Sequence, residues 1–550
     1  MKKMSLLVLG CALAESALAG FWKSPVCAPD AVTVEMEGAT NLLARAGNTW
    51  SDGRVAVSFA DAGADASCVS LTAKDVRPRF VRLAWNNVFP VDARVLRDCW
   101  ERADGDIGWF PLATVRESPW YFMVTSGGVT HGWGVQVQPG ALACWTVKPT
   151  GFELLLDVRA GGRGVKLGAR TLEMVTLVGR EGRSGESAFA AARAFCAKMC
   201  PHPRLPATPV YGYNDWYCAY GRNTATNFLA DAANVVSLAE GLTARPYVVM
   251  DDGWQKNSPP VVAPLKQGSS GWGPWDASGA GFGMEMSLFA KKVAALGAQP
   301  GLWYRPFRAW AEMPAACKDL KDTRYVDPTV PEVRATIVRD MTRFREWGFK
   351  LVKIDYLTYD LCRVWGRGFT DRVFRDDCVW RDETRTSAEV MRDLYGAMRT
   401  AAGEGVAIIG CNALNHFAAG LFEMQRVGND TSGWKWAQTR QMGVNCLAMR
   451  AVQDRAFFAA DADCAGLAKE GAVPWEKNRQ WIDLLGRSGT PIFISWHRSL
   501  MTPEVRAALS AAFRAAAAGP ATAEPLDWME TRFPRQWRFG TGEVVTYDWD

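Results

Sequence analysis

Histidine is scarce in this chain, four residues in 550, at His131, His202, His416 and His497. So few imidazoles argue against a metal centre, and Cys196 and Cys200, four apart on a predicted helix, read as unlinked, half-buried thiols. Long runs of one charge are missing too. The 63 Lys and Arg and 58 Asp and Glu are well mixed, for a net charge of +5. That makes nucleic acid a poor partner. Beyond the N-terminus no apolar run is long enough to span a bilayer. There is no G-x-G-x-x-G phosphate loop of the kind a doubly wound dinucleotide fold carries. Cysteine is neither absent nor dense. Fourteen are spread over the chain, which excludes a small disulfide scaffold. Cys362 and Cys378 fall in one long loop and are candidates to pair in an oxidising compartment.

What the chain does have is apolar mass and tryptophan. Hydrophobic residues make up 48% and charged residues 22%, the composition of a core-forming globular protein, and the length suggests two or three domains. The 25 Trp suit stacking on sugars, although core packing accounts for most of them in a β-rich protein. Residues 1–19 read as an export signal: Lys2-Lys3, an apolar run from Ser5 to Leu13, and Ala17-Leu18-Ala19 before Gly20. This predicts a periplasmic or extracellular protein. Leu9-Gly10-Cys11 resembles a lipoprotein site more faintly and ranks lower.

Residues 20–183 read as short strands between turns, among them Val32 to Met36, Val55 to Phe59, Phe80 to Trp85, Tyr121 to Val124, Trp133 to Val137, Phe152 to Val158 and Leu172 to Val178. That spacing predicts a β-sandwich, serving as a scaffold or lending an aromatic to a neighbouring pocket. Residues 184–208 hold a predicted linker helix, Glu186 to Cys200 with its cap near Ser184, then Pro201, Pro203, Pro206 and Pro209. From 209 to 518 strands alternate with helices. The strands are Val210 to Trp216, Tyr247 to Met250, Gly301 to Tyr304, Leu351 to Ile354, Val406 to Gly410, Met424 to Val427, Ala456 to Ala459 and Pro491 to Ser495. Eight βα units over about 300 residues is the arithmetic of a (β/α)₈ TIM barrel. Residues 519–550 add short C-terminal β-strands.

Ligands bind at the carboxyl ends of barrel strands. Those ends read Asn214-Asp215-Trp216-Tyr217, Asp251-Asp252-Gly253-Trp254, Trp303-Tyr304-Arg305, Lys353-Ile354-Asp355, Cys411-Asn412, Arg426-Val427-Gly428-Asn429-Asp430, and the neighbourhood of Asp461 and Asp463. Carboxylates, aromatics and a few cations on one rim make a polar pocket with stacking walls, as sugar chemistry requires. Lys353 lies two residues from Asp355, so along a strand both face one side, and its ammonium would keep a nearby carboxylate charged.

Four of these segments resemble one family. Val249-Met250-Asp251-Asp252-Gly253-Trp254-Gln255 looks like the D-D-G-W-Q signature of glycoside hydrolase clan D, above all the melibiase-type α-galactosidases of family 36. Pro300-Gly301-Leu302-Trp303, Lys353-Ile354-Asp355 and Arg426-x-x-x-Asp430 resemble that family's P-G-[IL]-W, K-x-D and R-x-x-x-D segments, in the same order. Ile354 stands where the family commonly has an aromatic. The resemblance covers roughly residues 205 to 500. It implies a retaining mechanism in which Asp355 is the nucleophile and Asp430 the acid/base. Asp251, Asp252, Lys353 and Arg426 would contact sugar hydroxyls, and Trp216, Trp254 and Trp303 would line the site, beside Arg305, Cys411 and Asn412 on the same rim. Such chemistry needs one ionised and one protonated carboxyl roughly 5 Å apart, so Asp430 should sit in a less polar place or beside another carboxylate. It implies an oligosaccharide or polysaccharide substrate with a terminal α-galactose, and no metal or organic cofactor. The rival readings are an α-N-acetylgalactosaminidase or another clan D α-glycosidase or transglycosylase, and a non-catalytic carbohydrate-binding protein on a barrel scaffold.

Overall fold

A computed structural model describes residues 22–114, 117–256, 272–468, 471–519 and 522–550. The predicted export signal and residues 257–271, which include the start of a Gly-rich loop after the second barrel strand (Gly268 to Gly283 in the sequence), lie outside the described residues. Toward the N-terminus, six strands form one antiparallel sheet and nine another. Their facing sides meet in aromatic rings. Trp85, Trp145 and Phe152 come from the first sheet and Phe122 and Trp133 from the second, and Phe122 lies 5.5 Å from Trp145 and Trp133 5.9 Å from Phe152, centroid to centroid. Bulky rings on alternate positions of facing strands give this sandwich a dense core. The hairpin Tyr121–Ser126 to Val129–Val135 turns on Gly127 and Gly128, both at positive φ (56° and 77°), which the two-residue turn demands. The second strand of that pair therefore begins four residues before the predicted Trp133.

The helix Ala188–Met199 follows, capped by Ser187, whose hydroxyl accepts from the Ala190 N–H; the predicted cap at Ser184 is three residues early. Then come the parallel strands Tyr211–Asn214, Tyr247–Met250, Gln299–Tyr304, Leu351–Ile354, Ala407–Gly410, Met424–Arg426, Ala459–Asp461, Cys464–Leu467 and Ile492–Trp496. Each pairs with the next, except at one place, and the last pairs back to the first. The exception is the seventh barrel strand. It breaks at Ala462-Asp463, so Ala459–Asp461 pairs with the sixth strand and Cys464–Leu467 with the eighth. The ring is thereby closed through the chain itself. Asp463 takes a positive φ of 69° at the break.

This corrects the expectation of a seventh strand at Ala456 to Ala459. Phe457 instead occupies a turn, with its ring against His416 and Tyr121. An apolar run reports burial, and burial alone does not distinguish a strand from a packed turn. The other barrel strands fall within two residues of expectation because both faces are covered, so that every position is buried and mostly apolar. After the sixth strand, the helical turns Trp436–Gln438 and Cys446–Arg450 are joined by a π-helical stretch, Thr439–Asn445. At the C-terminus, Glu524–Pro525, Gln536–Arg538 and Val544–Thr546 make a separate three-stranded antiparallel sheet. It is anchored by fully buried Trp537 and Trp549 and by the Tyr547 hydroxyl, which donates to Asp483 at 2.8 Å.

Candidate active site

The cleft at the carboxyl ends of the parallel strands has a cavity volume of about 70 Å³ and is lined by Arg102, Trp216, Tyr217, Asp251, Asp252, Trp303, Lys353, Asp355, Tyr356, Trp365, Cys411, Asn412, Arg426 and Asp430. Ten of the twelve predicted site residues converge there. A larger groove, between helices Trp475–Ser488 and Pro503–Ala517 and the C-terminal sheet, holds none of them.

Asp355 follows the fourth strand directly. Its Oδ2 accepts from the Trp303 indole at 3.1 Å and its Oδ1 from the Tyr356 N–H at 2.7 Å. Tyr356 adopts φ +60°, so the chain turns at once from strand into the helix Leu357–Cys362. A left-handed conformation at a bulky residue costs about 1 kcal/mol or more and persists only where surroundings impose it, as beside a functional group. With the Asn412 amide assigned the orientation that satisfies both neighbours, its nitrogen donates to Asp355 Oδ1 and its oxygen accepts from Arg102 Nη2 at 2.8 Å and Nε at 2.9 Å.

Asp251 and Asp252 follow the second strand. Asp251 Oδ2 accepts from Lys353 Nζ at 2.7 Å and from Asn214 Nδ2 at 2.8 Å, and Asp251 Oδ1 accepts from the Asp252 N–H. Lys353 thus spends its ammonium on Asp251 rather than on Asp355. Burial disfavours the ammonium, but the charges of Asp251, then Cys411 and Asp355, together outweigh it and hold Lys353 well above the usual lysine range. Asp252 accepts from Gln255 at 2.6 Å and from the Trp272 indole, and burial pushes it up to about 6. The turn needs Gly253. Its φ is +118°, and a Cβ there would stand 2.5 Å from the Gly221 carbonyl oxygen.

Asp430 sits four residues past the end of the sixth strand. Arg426 Nη2 lies 3.2 Å from its Oδ1 and Arg102 Nη1 3.1 Å. The expectation of a weakly polar or carboxylate-flanked place for Asp430 is therefore wrong. Its side chain is half-buried, 43% exposed; desolvation raises its pKa, but Arg102, Arg426 and then Lys353 together hold the carboxyl below the usual carboxylate range. Arg426 is shared: it also pairs with Asp463 at 3.1 Å, on the bend that splits the seventh strand.

Arg102 comes from the loop between two strands of the N-terminal sheets, Arg94–Arg97 and Trp109–Pro111. That loop is sewn into the barrel. Ala103 N–H donates to Val427 O, Asn429 N–H donates to Ala103 O, and a fully buried pair joins Arg450 to Asp98 at 2.7 Å. The sandwich therefore contributes a cation to the cleft where an aromatic was envisaged.

Two predicted residues lie outside the cleft. Trp254 is completely buried behind it, its indole donating to Trp303 O at 2.9 Å. Arg305 pairs with buried Asp360 at 2.7 Å and lies over the Tyr356 ring at 3.8 Å, so it supports the wall from behind. Four residues were missed. Tyr217 and Tyr356 adjoin predicted residues, and their type was the available signal. Trp365 and Arg102 carried none, since Arg102 is 328 positions from Asp430. Of the Gly-rich loop, Trp272 is tied to Asp252 and Trp275 is fully buried against Trp303 and Tyr304. Cys362 and Cys378 line one cavity as unlinked thiols, and the other described cysteines are free as well. Among the described residues no helix is long and apolar enough to cross a membrane.

No family model matches the sequence, and no curated protein is similar to it. The solved structures are informative. The chain is similar to TtGalA, an α-galactosidase from Thermus thermophilus, in complex with p-nitrophenyl α-D-galactopyranoside, at 17% identity and TM-score 0.60, with 94% of this chain and 99% of that one covered. It is similar to a family 36 α-galactosidase from Geobacillus stearothermophilus at 11% identity and TM-score 0.56, covering 94% and 79%. The α-galactosidase from Lactobacillus brevis gives 11% and 0.56, covering 93% and 74%. At such identities the likeness is one of fold, and it extends over nearly the whole of this chain.

Proposed function

We propose that the protein is a retaining α-glycosidase, with terminal α-galactosides as its favoured substrates. The observation that carries this reading is the convergence of Asp355 and Asp430 on one cleft, joined through Asn412 and Arg102. The solved structure bound to an aryl α-galactoside, and another of TtGalA bound to stachyose, support the choice of sugar.

In this mechanism an Asp355 oxygen forms a bond to the anomeric carbon as the bond to the leaving oxygen breaks, and Asp430 gives that oxygen its proton. Water then attacks the glycosyl–Asp355 ester while Asp430 takes a proton back, and configuration is retained. The three donors around Asp355 fix the direction of its oxygens. Asp251 and Asp252, rigidly held, are placed to accept from sugar hydroxyls. The guanidiniums on Asp430 favour its charged form, which suits the second, base-assisted step, so the first step calls for acidic conditions. We infer from the export signal predicted at residues 1–19 that the enzyme acts outside the cytoplasm.

The test is a panel of aryl α-glycosides with the wild type and Asp355→Asn. Release of aryl alcohol from the α-galactoside by the wild type alone, with the α-anomer formed first, is the expected result. Activity on α-N-acetylgalactosaminide would move the sugar assignment, and activity on none would favour a carbohydrate-binding protein.

A further inference from the structure

Most of the tryptophan in this chain is buried, and one residue departs from the pattern. Among the described residues, the large exposed apolar side chains are aliphatic except Trp434, which is 44% exposed. Its place is not arbitrary. It lies four residues beyond Asp430, on a turn held tightly to the barrel. Thr431 donates from its hydroxyl to Cys464 O at 2.7 Å, and its N–H donates to Asp463 at 2.8 Å. Gly433 follows at φ +75°, so close to the seventh strand that a Cβ would stand 2.2 Å from Gly466 O. The turn is pinned against the seventh strand, and Trp434 stays partly exposed on it.

The indole is fixed in turn. Its Nε1 donates to the Tyr220 hydroxyl at 2.8 Å, and the Tyr220 ring lies 5.3 Å from that of Trp216, which lines the cleft. Tyr220 itself ends the short helix Trp216–Ala219 at φ +44°. Three aromatic rings therefore run from the cleft wall to the surface, beginning beside Asp430.

We propose that Trp216, Tyr220 and Trp434 form a platform for the leaving-group half of the substrate, and that this half is a second pyranose ring. The inference rests on the glycosidase reading above. A proton donor must reach the leaving oxygen, so whatever that oxygen carries lies on the Asp430 side of the cleft, where these rings are. A pyranose offers an apolar C–H face that an indole covers, and its hydroxyl edge stays in water. Exposing a tryptophan to solvent has a cost that covering it with a sugar removes.

The test compares two donors of the same α-glycosyl group: the glycosyl fluoride, whose leaving group has no ring, and the corresponding disaccharide. Trp434→Ala is expected to raise KM for the disaccharide about tenfold, the scale of one aromatic contact, with the fluoride kinetics and the pH profile unchanged. Trp434→Phe, which keeps a ring, should recover much of the loss. Equal losses on both donors, or none on either, would overturn the platform. A fall in kcat with a displaced pH profile would also overturn it, by assigning Trp434 to holding Asp430. Should the wild type hydrolyse neither donor, the glycosidase reading falls and the platform with it, a result distinct from an active enzyme indifferent to Trp434.

Discussion

Arg102 Nη1 donates to Asp430 Oδ1 across 3.1 Å, and through Asn412 the same guanidinium reaches Asp355. One side chain from the sandwich thus touches the groups around both proposed catalytic acids. Its own surface is 9% exposed, so its charge is poorly screened.

A first prediction follows for pH. Arg102 and Arg426 both depress Asp430. Removing one guanidinium as Arg102→Gln raises the Asp430 pKa, so the proton needed for the first step is held to higher pH. The alkaline limb of kcat/KM on an aryl glycoside should move upward by roughly one unit, the lower end of what an adjacent charge commands. An unmoved limb would deny Arg102 this role.

The acid/base assignment predicts a dependence on leaving group. Asp430→Asn should lower kcat/KM by about 10²–10⁴ on glycosides with a poor leaving group. On the glycosyl fluoride, which departs without a proton, the loss should be slight. A uniform loss across leaving groups would remove Asp430 from the acid role.

The pair Lys353–Asp251 should matter to stability as well as binding. Its side chains are 11% and 4% exposed. Lys353→Met leaves the Asp251 charge buried with only neutral partners, at a cost of about 3–5 kcal/mol. Thermal unfolding should show a clear fall in Tm. Adding Asp251→Asn should restore much of it, while activity stays lost in both.

Asp454 gives a test far from the chemistry. Burial pushes its pKa up to about 6, and its Oδ1 accepts from the Ala460 N–H at 2.9 Å. A carboxyl raised in the folded state keeps a proton that the unfolded chain has already released. The stability linked to that proton is fully present below the unfolded value near 4 and is lost as pH rises through about 6. Asp454→Asn keeps the acceptor and removes the titration. Relative to wild type it should gain about 1–3 kcal/mol between pH 4 and pH 7, measured as the difference in unfolding free energy at the two pH values.

Particular residues show how much was legible beforehand. Leu351 to Ile354 could be read as a strand because four successive buried positions leave no other periodicity. Asp355 and Asp430 could be read as rim residues because each ends or follows such a strand. Trp254 and Arg305 satisfied the same rule and are not in the cleft, since a residue just past a strand can point into the ring or behind it. The split at Ala462-Asp463 was invisible, because it is enforced by two different neighbouring strands.

The sequence alone determined the alternation of strand and helix and the acids at the strand ends, since both follow from local patterns of burial and turn chemistry. Only the tertiary structure decided which charges stand against those acids. Lys353 goes to Asp251 and not to Asp355, and Arg102 arrives at Asp430 from another sheet. Electrostatic pairing depends on distance in space, and that distance is set by how separate elements pack, which no local spacing encodes.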